Sequence, residues 1–129
     1  MPVVSLTSDR LINSIVPGYQ IATGLTPLAG GGFVATWRTG TNEPGFQPYY
    51  KVFDAAGNPV TSDIPGNGSR AAPLADGGFV MFTANQSYQR FDADGNPVGS
   101  PVPLNLPYPN GRGVLQIAEL SNGNIAVVW

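Results

Sequence analysis

The sequence predicts an all-β protein of antiparallel, four-stranded, propeller-like blades, about three per chain with the last incomplete, and three observations predict it. The first is a repeat. Leu28-Ala29-Gly30-Gly31-Gly32-Phe33-Val34 returns as Leu74-Ala75-Asp76-Gly77-Gly78-Phe79-Val80 and, more loosely, as Leu120-Ser121-Asn122-Gly123-Asn124-Ile125-Ala126, at a constant step of 46 residues. The second is a companion block, in which Tyr50-Lys51-Val52-Phe53-Asp54-Ala55-Ala56-Gly57-Asn58-Pro59-Val60 is matched by Tyr88-Gln89-Arg90-Phe91-Asp92-Ala93-Asp94-Gly95-Asn96-Pro97-Val98. The third is composition: Gly (17) and Pro (13) are abundant while 11% of residues are charged, against about 25% in an average soluble domain. Turns must be frequent and helices few. A β-sandwich can also be built from short strands, but it leaves the fixed period unexplained.

Taken in order, Val3 to Thr7 alternate as a strand would. Leu11, Ile12, Ile15 and Val16 have helix-like spacing, but Pro17-Gly18 ends any helix almost at once, so we expect a turn and then a short strand over Tyr19 to Thr23. A Gly-rich turn at Ala29 to Gly32 leads into Phe33-Val34-Ala35-Thr36-Trp37. In this strand and in its counterparts, Phe79 to Thr83 and Ile125 to Trp129, both alternating faces are largely apolar. A strand with one wet side would not read this way; these strands are expected between stacked sheets. The companion block reads as a strand, a tight turn through Asp-Ala-x-Gly-Asn, and a return strand beginning at Pro59 or Pro97, which proline confines to an outer position. The two companion blocks lie 38 apart, eight less than the period, and the difference falls in the longer loop Thr39 to Pro48 of the first copy.

The whole of residues 1–129 reads as a single β-repeat domain with copies starting near 28, 74 and 120. Met1-Pro2-Val3 aligns with Asn58-Pro59-Val60, and Trp129 aligns with Trp37 and Thr83, so only the Tyr-to-Phe-Asp strand of the third copy is missing. Closed propellers have roughly four to eight blades. The expectation is therefore that copies of the chain associate into a homo-oligomer that closes a ring, or that the chain is a segment of a longer repeat protein.

The pairing of Leu-Ala-Asp-Gly-Gly-Phe-Val (74 to 80) with Tyr-Gln-Arg-Phe-Asp-Ala-Asp-Gly-Asn-Pro-Val (88 to 98) resembles the tandem repeats of large secreted bacterial surface proteins, the RTX-type adhesins. That resemblance implies blade-like repeats, a secreted or cell-surface location, adhesion and often calcium. The third copy departs from it in lacking the Phe-Asp half, and the first in carrying Ala56 where the second has Asp94. In blade count and aromatic content the chain is also similar to small bacterial propeller lectins, whose few-bladed chains oligomerise and hold sugar between blades. No lectin signature is matched.

With no Cys and no His, thiolate and imidazole chemistry and the usual zinc and copper sites are excluded. A net charge of −2 and six scattered basic residues form no cationic stripe for nucleic acid or an anionic membrane. The eight acids are spread through turns and no nucleophile–base pair is apparent, so no catalytic residue is assigned and a non-enzymatic role is expected. For ligand binding, Trp37 and Trp129 are candidates at equivalent strand ends: an indole can offer its face to a pyranose and its N–H to a hydroxyl. Arg38, Asn42, Glu43 and Gln47 lie near Trp37 and could fix sugar hydroxyls. The bland alternative is that both indoles fill space between blades. Asp92, Asp94 and Asn96 place oxygen-bearing side chains at alternate positions, as a calcium loop does, but no later bidentate Glu follows and a hairpin turn explains the same residues. Calcium is the one cofactor the pattern raises, and the expectation otherwise is none. The leading expectation is a carbohydrate-binding, lectin-like module; the alternative is a structural repeat of an adhesin, or an engineered propeller fragment, with no small-molecule ligand.

Overall fold

The computed structural model describes residues 11–14, 18–40, 47–66, 70–83, 86–106 and 116–128. Among them there are strands and turns but no helix, and every strand pairing is antiparallel. The first sheet runs β1 (Tyr19–Pro27), β2 (Phe33–Gly40), β3 (Gln47–Phe53) and β4 (Ile64–Pro65) in sequence order. The second runs β5 (Ala71–Pro73), β6 (Phe79–Thr83), β7 (Ser87–Phe91) and β8 (Pro97–Pro103), again in order. The third pairs β9 (Gln116–Glu119) with β10 (Ile125–Val128). The expected strand at Val3 to Thr7 and Trp129 both lie outside the described residues.

One turn joins most of these strands. In Leu28 to Gly32, Asp54 to Asn58, Leu74 to Gly78, Asp92 to Asn96 and Leu120 to Asn124, the first residue's N–H donates to the fifth residue's carbonyl and its own carbonyl accepts from the fourth residue's N–H. The fourth residue is always glycine with positive φ, between 80° and 95°. Such three-residue loops need one left-handed position, which glycine occupies without the Cβ penalty. The Leu-Ala-x-Gly and Asp-Ala-x-Gly blocks, which look like different motifs, are thus the same turn.

Opposite faces of the first and second sheets enter different cores. Val34, Tyr50 and Val52 leave the first sheet to pack on Phe79 and Met81 of the second, with Phe91 beside them. From the other side of the second sheet, Val80, Ala72 and Leu74 pack on Ile117, with Tyr88, Ile125 and Val127 around them. Strand β6 is therefore covered on both faces, as its doubly apolar alternation requires, and Phe79 and Val80 are completely buried. The cross-strand pairs Phe33 with Phe53 and Phe79 with Phe91 stack at 4.6 and 4.9 Å. Tyr50 lies edge-on to Phe79 at 6.3 Å and tilted on Phe91 at 5.7 Å, locking the first sheet to the second. The sheets come together along their first strands, β1 against β5 and β5 against β9. A cleft of about 340 Å³ there is lined by Leu25 to Pro27, Ala71 to Pro73 and Ile117 to Glu119, the same positions of each repeat, together with Gln116.

The return strands differ from expectation in the first copy. Pro59 forms only an isolated bridge to Phe53, and the fourth strand is the two-residue β4. Both Val60 and Thr61 N–H groups turn to the carbonyl of Val52, while Thr61 Oγ1 accepts from Val52 N at 3.0 Å. The threonine hydroxyl takes the place of a ladder carbonyl and lets the chain leave the sheet. In the second copy Pro97 does begin a strand, and β8 is exposed throughout, as an outer strand with proline should be. The expected Thr39 to Pro48 loop is also partly ladder: Arg38 pairs with Pro48 and Thr39 with Gln47, so the insertion lengthens the hairpin by these two pairs beyond the second copy.

The turn geometry makes a clean prediction. A Cβ on Gly77 would meet nothing within 4 Å, and neither would one on Gly30, but Gly77 alone has positive φ, at 95°. Gly77→Ala should cost about 1–2 kcal/mol through backbone strain alone, whereas Gly30→Ala should be neutral or mildly stabilising. Urea unfolding of the two variants checks this, and equal midpoints would contradict it.

Candidate functional site

The outer face of the first sheet is where the repeat is least regular. Alternation puts Phe33, Ala35 and Trp37 of β2 beside Tyr49, Lys51 and Phe53 of β3 on that face. Ala35, Trp37 and Phe53 are buried there, with Ile12 packed against them from outside the sheet. Beneath Leu11 to Asn13, β1 and β2 leave a cavity of about 640 Å³, to which Ile12, Asn13, Gln20, Thr23, Ala35 and Trp37 contribute. Its wall is shaped by a β-bulge between Ala22 and Gly24, so that Thr23 is the extra residue. Thr23 Oγ1 donates to Thr36 Oγ1 at 3.0 Å, and Gln20 bridges Asn13 at 3.3 Å and Thr39 Oγ1 at 2.8 Å.

Trp37 is 5% exposed, and Trp37 Nε1 is the only buried side-chain nitrogen or oxygen among the described residues without a hydrogen-bond partner. Indole N–H groups normally find an acceptor when buried. The ring runs nearly parallel to Tyr49, 13° between planes and 6.0 Å between centroids. Burial leaves the indole unable to serve as an open stacking platform; what it has to offer is its N–H.

The neighbours expected around Trp37 are not gathered there. Arg38 follows it on β2, so it leaves the sheet on the opposite side, and it is solvent-exposed. Gln47 is exposed at the start of β3, and its Nε2 donates to the Pro48 carbonyl at 3.2 Å. Asn42, Glu43 and Trp129 lie outside the described residues. Asp92, Asp94 and Asn96 are brought together, but as a turn: the Asp92 carboxylate accepts from the N–H groups of Asp94 and Asn96 and from Asn96 Nδ2, all at 2.9–3.0 Å. Asp54 accepts the same bonds from Ala56 and Asn58, so the pattern serves the turn without a second carboxylate. A cation at Asp92 would have to displace these bonds. Among the described residues no three acidic side chains cluster as metal ligands would.

These hydrogen bonds hold both aspartates below the ordinary carboxylate value of 3.8, Asp54 chiefly through the Asn58 N–H and Asp92 chiefly through the Asn96 side chain. Burial pushes the Tyr50 hydroxyl up from its ordinary 10.0.

A second polar feature of this face went unread in the sequence. Lys51 Nζ pairs with Asp63 Oδ1 at 2.9 Å, with both side chains buried, and also donates to Ser14 Oγ at 2.9 Å. Asp63 Oδ2 accepts the Ser14 N–H at 2.7 Å, tying residues 11–14 across the sheet. Alternation from Phe53 could have placed Lys51 on the buried face, but nothing marks Asp63 as its partner. The equivalent of Lys51 in the second sheet is Gln89, also buried, whose Nε2 donates to the carbonyls of Arg90, Val98 and Gly99. In both copies this position holds the returning chain through its side-chain nitrogen.

Comparison of the chain with protein-family models and with curated proteins finds no match.

Two predictions follow the chemistry of these groups. Asp63→Ala strands the Lys51 ammonium in a buried site and should cost about 3–5 kcal/mol, while a Lys51→Met, Asp63→Leu pair should cost far less; chemical denaturation of both variants compares them. Because the folded pKa values of Asp54 and Asp92 are depressed, the stability they add is present above 3.8 and is lost as pH falls through the folded values. The melting temperature should therefore drop on acidification below about pH 4, and Asp54→Asn with Asp92→Asn should flatten that drop; an unchanged acid slope would count against the turns as its source.

Proposed function

We propose that the protein is a non-enzymatic binding module of bacterial extracellular type, built from propeller-like blades that associate between copies, with carbohydrate as its ligand. The observation that carries the ligand class is the cavity lined by Trp37, whose buried indole N–H has no partner, with a wall part aliphatic, from Ile12 and Ala35, and part hydroxyl and amide, from Thr23, Gln20 and Asn13. A sugar presents that same mixture, with C–H patches beside hydroxyls, and one hydroxyl would accept the indole N–H. Support for the blades comes from the cleft where β1, β5 and β9 meet, lined by the same positions of each repeat, as repeated sheets packed in series would have it. The secreted or surface location rests on the repeat resemblance.

The structural-repeat reading has its own support, since most apolar side chains of the repeat are consumed in sheet-on-sheet contact. A glycan array followed by titration of any hit separates the two. On binding, the Trp37 indole N–H resonance should shift, and Trp37→Phe should weaken affinity about tenfold, the worth of one hydrogen bond to a buried group. No array hit, with melting indifferent to sugars, would overturn the carbohydrate reading and leave the structural one. A well-folded monomer by light scattering at micromolar concentration would overturn association between copies.

A further inference from the structure

We infer that the cavity beside Trp37 takes uncharged saccharides and rejects acidic ones, and that Thr23 is a specificity-determining residue which accepts a hydrogen bond from a sugar hydroxyl. The inference rests on the carbohydrate reading above.

The repeat shows which positions depart at this cavity. By the 46-residue step, Ala35 stands where the other copies carry Met81 and Val127, and Thr36 stands where they carry Phe82 and Val128. A large apolar side chain has become a methyl group, and the next has become a hydroxyl. Thr36 is 2% exposed, so this hydroxyl is buried at a position the repeat otherwise keeps apolar. Both residues line the cavity.

The bulge in β1 supplies the partner. Ala22 pairs with Trp37 and Gly24 with Thr36, which leaves Thr23 between them as the extra residue, and a bulge re-aims the side chain it carries. Thr23 Oγ1 donates to Thr36 Oγ1 at 3.0 Å, and Thr36 Oγ1 donates on to the Gly24 carbonyl at 3.4 Å. Both hydroxyl protons are thus directed inward along a relay. The half-buried Thr23 oxygen, on the cavity wall, is left with lone pairs to offer, whereas the indole Nε1 of Trp37 has only a proton. Sugar hydroxyls both donate and accept, so they suit the two together.

Charge decides the class of sugar. None of the described residues lining the cavity is charged. On the same face of the sheet, Lys51 is held by Asp63 and Ser14, and Arg38 leaves β2 on the opposite side. A carboxylate entering here would give up its water and gain no cation in exchange, a loss that hydroxyl and amide groups do not offset. A neutral sugar meets no such penalty.

The probes are glucose, galactose and mannose, each paired with the uronic acid that differs from it only at C6, and titrated while the Trp37 indole resonance is followed. In each pair that responds, the neutral member should bind about tenfold tighter or more, and the methyl ester of the acid should recover most of the loss, because it restores neutrality without restoring the original group. Affinity for the neutral sugar should change less than about twofold between low and high salt. Thr23→Val should weaken it about fivefold, and Thr23→Ser, which keeps the oxygen, should hold it within about twofold. Equal binding of acid and neutral sugar, or an ester that binds no better than its acid, would overturn the charge selection. Full affinity in Thr23→Val, or equal loss in both variants, would overturn the role of Thr23. Silence from every sugar would overturn the carbohydrate reading itself and this inference with it, a result distinct from binding without selection.

Discussion

The arrangement depends on one constraint: the second strand of each repeat has no polar face. Phe79 and Met81 point one way from β6 and Val80 the other, so neither side of that strand can be left to water. A single sheet with one solvated face would expose one of these sets, at roughly 1.5–3 kcal/mol for each large side chain. The sequence resolves this by stacking, the first sheet covering Phe79 and Met81 and the third covering Val80. The second sheet thereby has a neighbour on either side. The repeat is what supplies neighbours of the same shape.

Turn chemistry serves that constraint. Because both faces of the central strands are committed, the strands cannot slip by one residue without reversing two cores at once. Five occurrences of the same glycine-containing loop fix the register at each end, and the stacked pairs Phe33–Phe53 and Phe79–Phe91 sit immediately beside them. The close approach is visible at Gly78, where a Cβ would collide with the carbonyl of Phe91, and at Gly32, where it would meet that of Phe53. The two glycines of Gly-Gly-Phe thus have different duties. The first provides the left-handed backbone and the second lets the neighbouring strand come in.

Much of this was legible in the residues, because period and alternation are properties of a chain read in one dimension. The 46-residue step and the Asp-x-x-Gly turns became structure at the expected positions, but of the three doubly apolar strands only β6 lies between two sheets: the outer face of β2 is covered by Ile12, and Val128 of β10 is exposed. What escaped were interactions between residues far apart in sequence with no pattern connecting them. Nothing in Thr61 announces that its hydroxyl will replace a ladder carbonyl, and nothing in Asp63 that it will hold both Lys51 and Ser14. The site suffered most from this. Proximity in sequence grouped Arg38 and Gln47 with Trp37, yet strand alternation sends Arg38 to the other face, and polar groups that do share the cavity with Trp37 include Gln20 and Thr23 of β1 and Asn13 ahead of it.

Departures from the repeat gather mainly in the first sheet. The bulge at Thr23, the lengthened β2–β3 hairpin, the short β4 and the Lys51–Asp63 pair all belong to the first sheet. The second sheet has one irregularity of its own, a register shift against β8 between Tyr88 and Arg90, but there Gln89 is satisfied by main-chain carbonyls and β8 runs on as an outer strand. Repetition selects for faces that fit identical neighbours, so a sheet that breaks the pattern on its outer side is no longer optimised for one. A buried ion pair brings little stability over an apolar pair of the same size, and its worth lies in specifying a single arrangement. Here it ties Ser14 across the sheet while Ile12 packs on Ala35 and Trp37, in place of a regular sheet face, and a cavity lined by Trp37 lies there. The gap is where the repeat has been given up, and that makes it the place to look for a ligand.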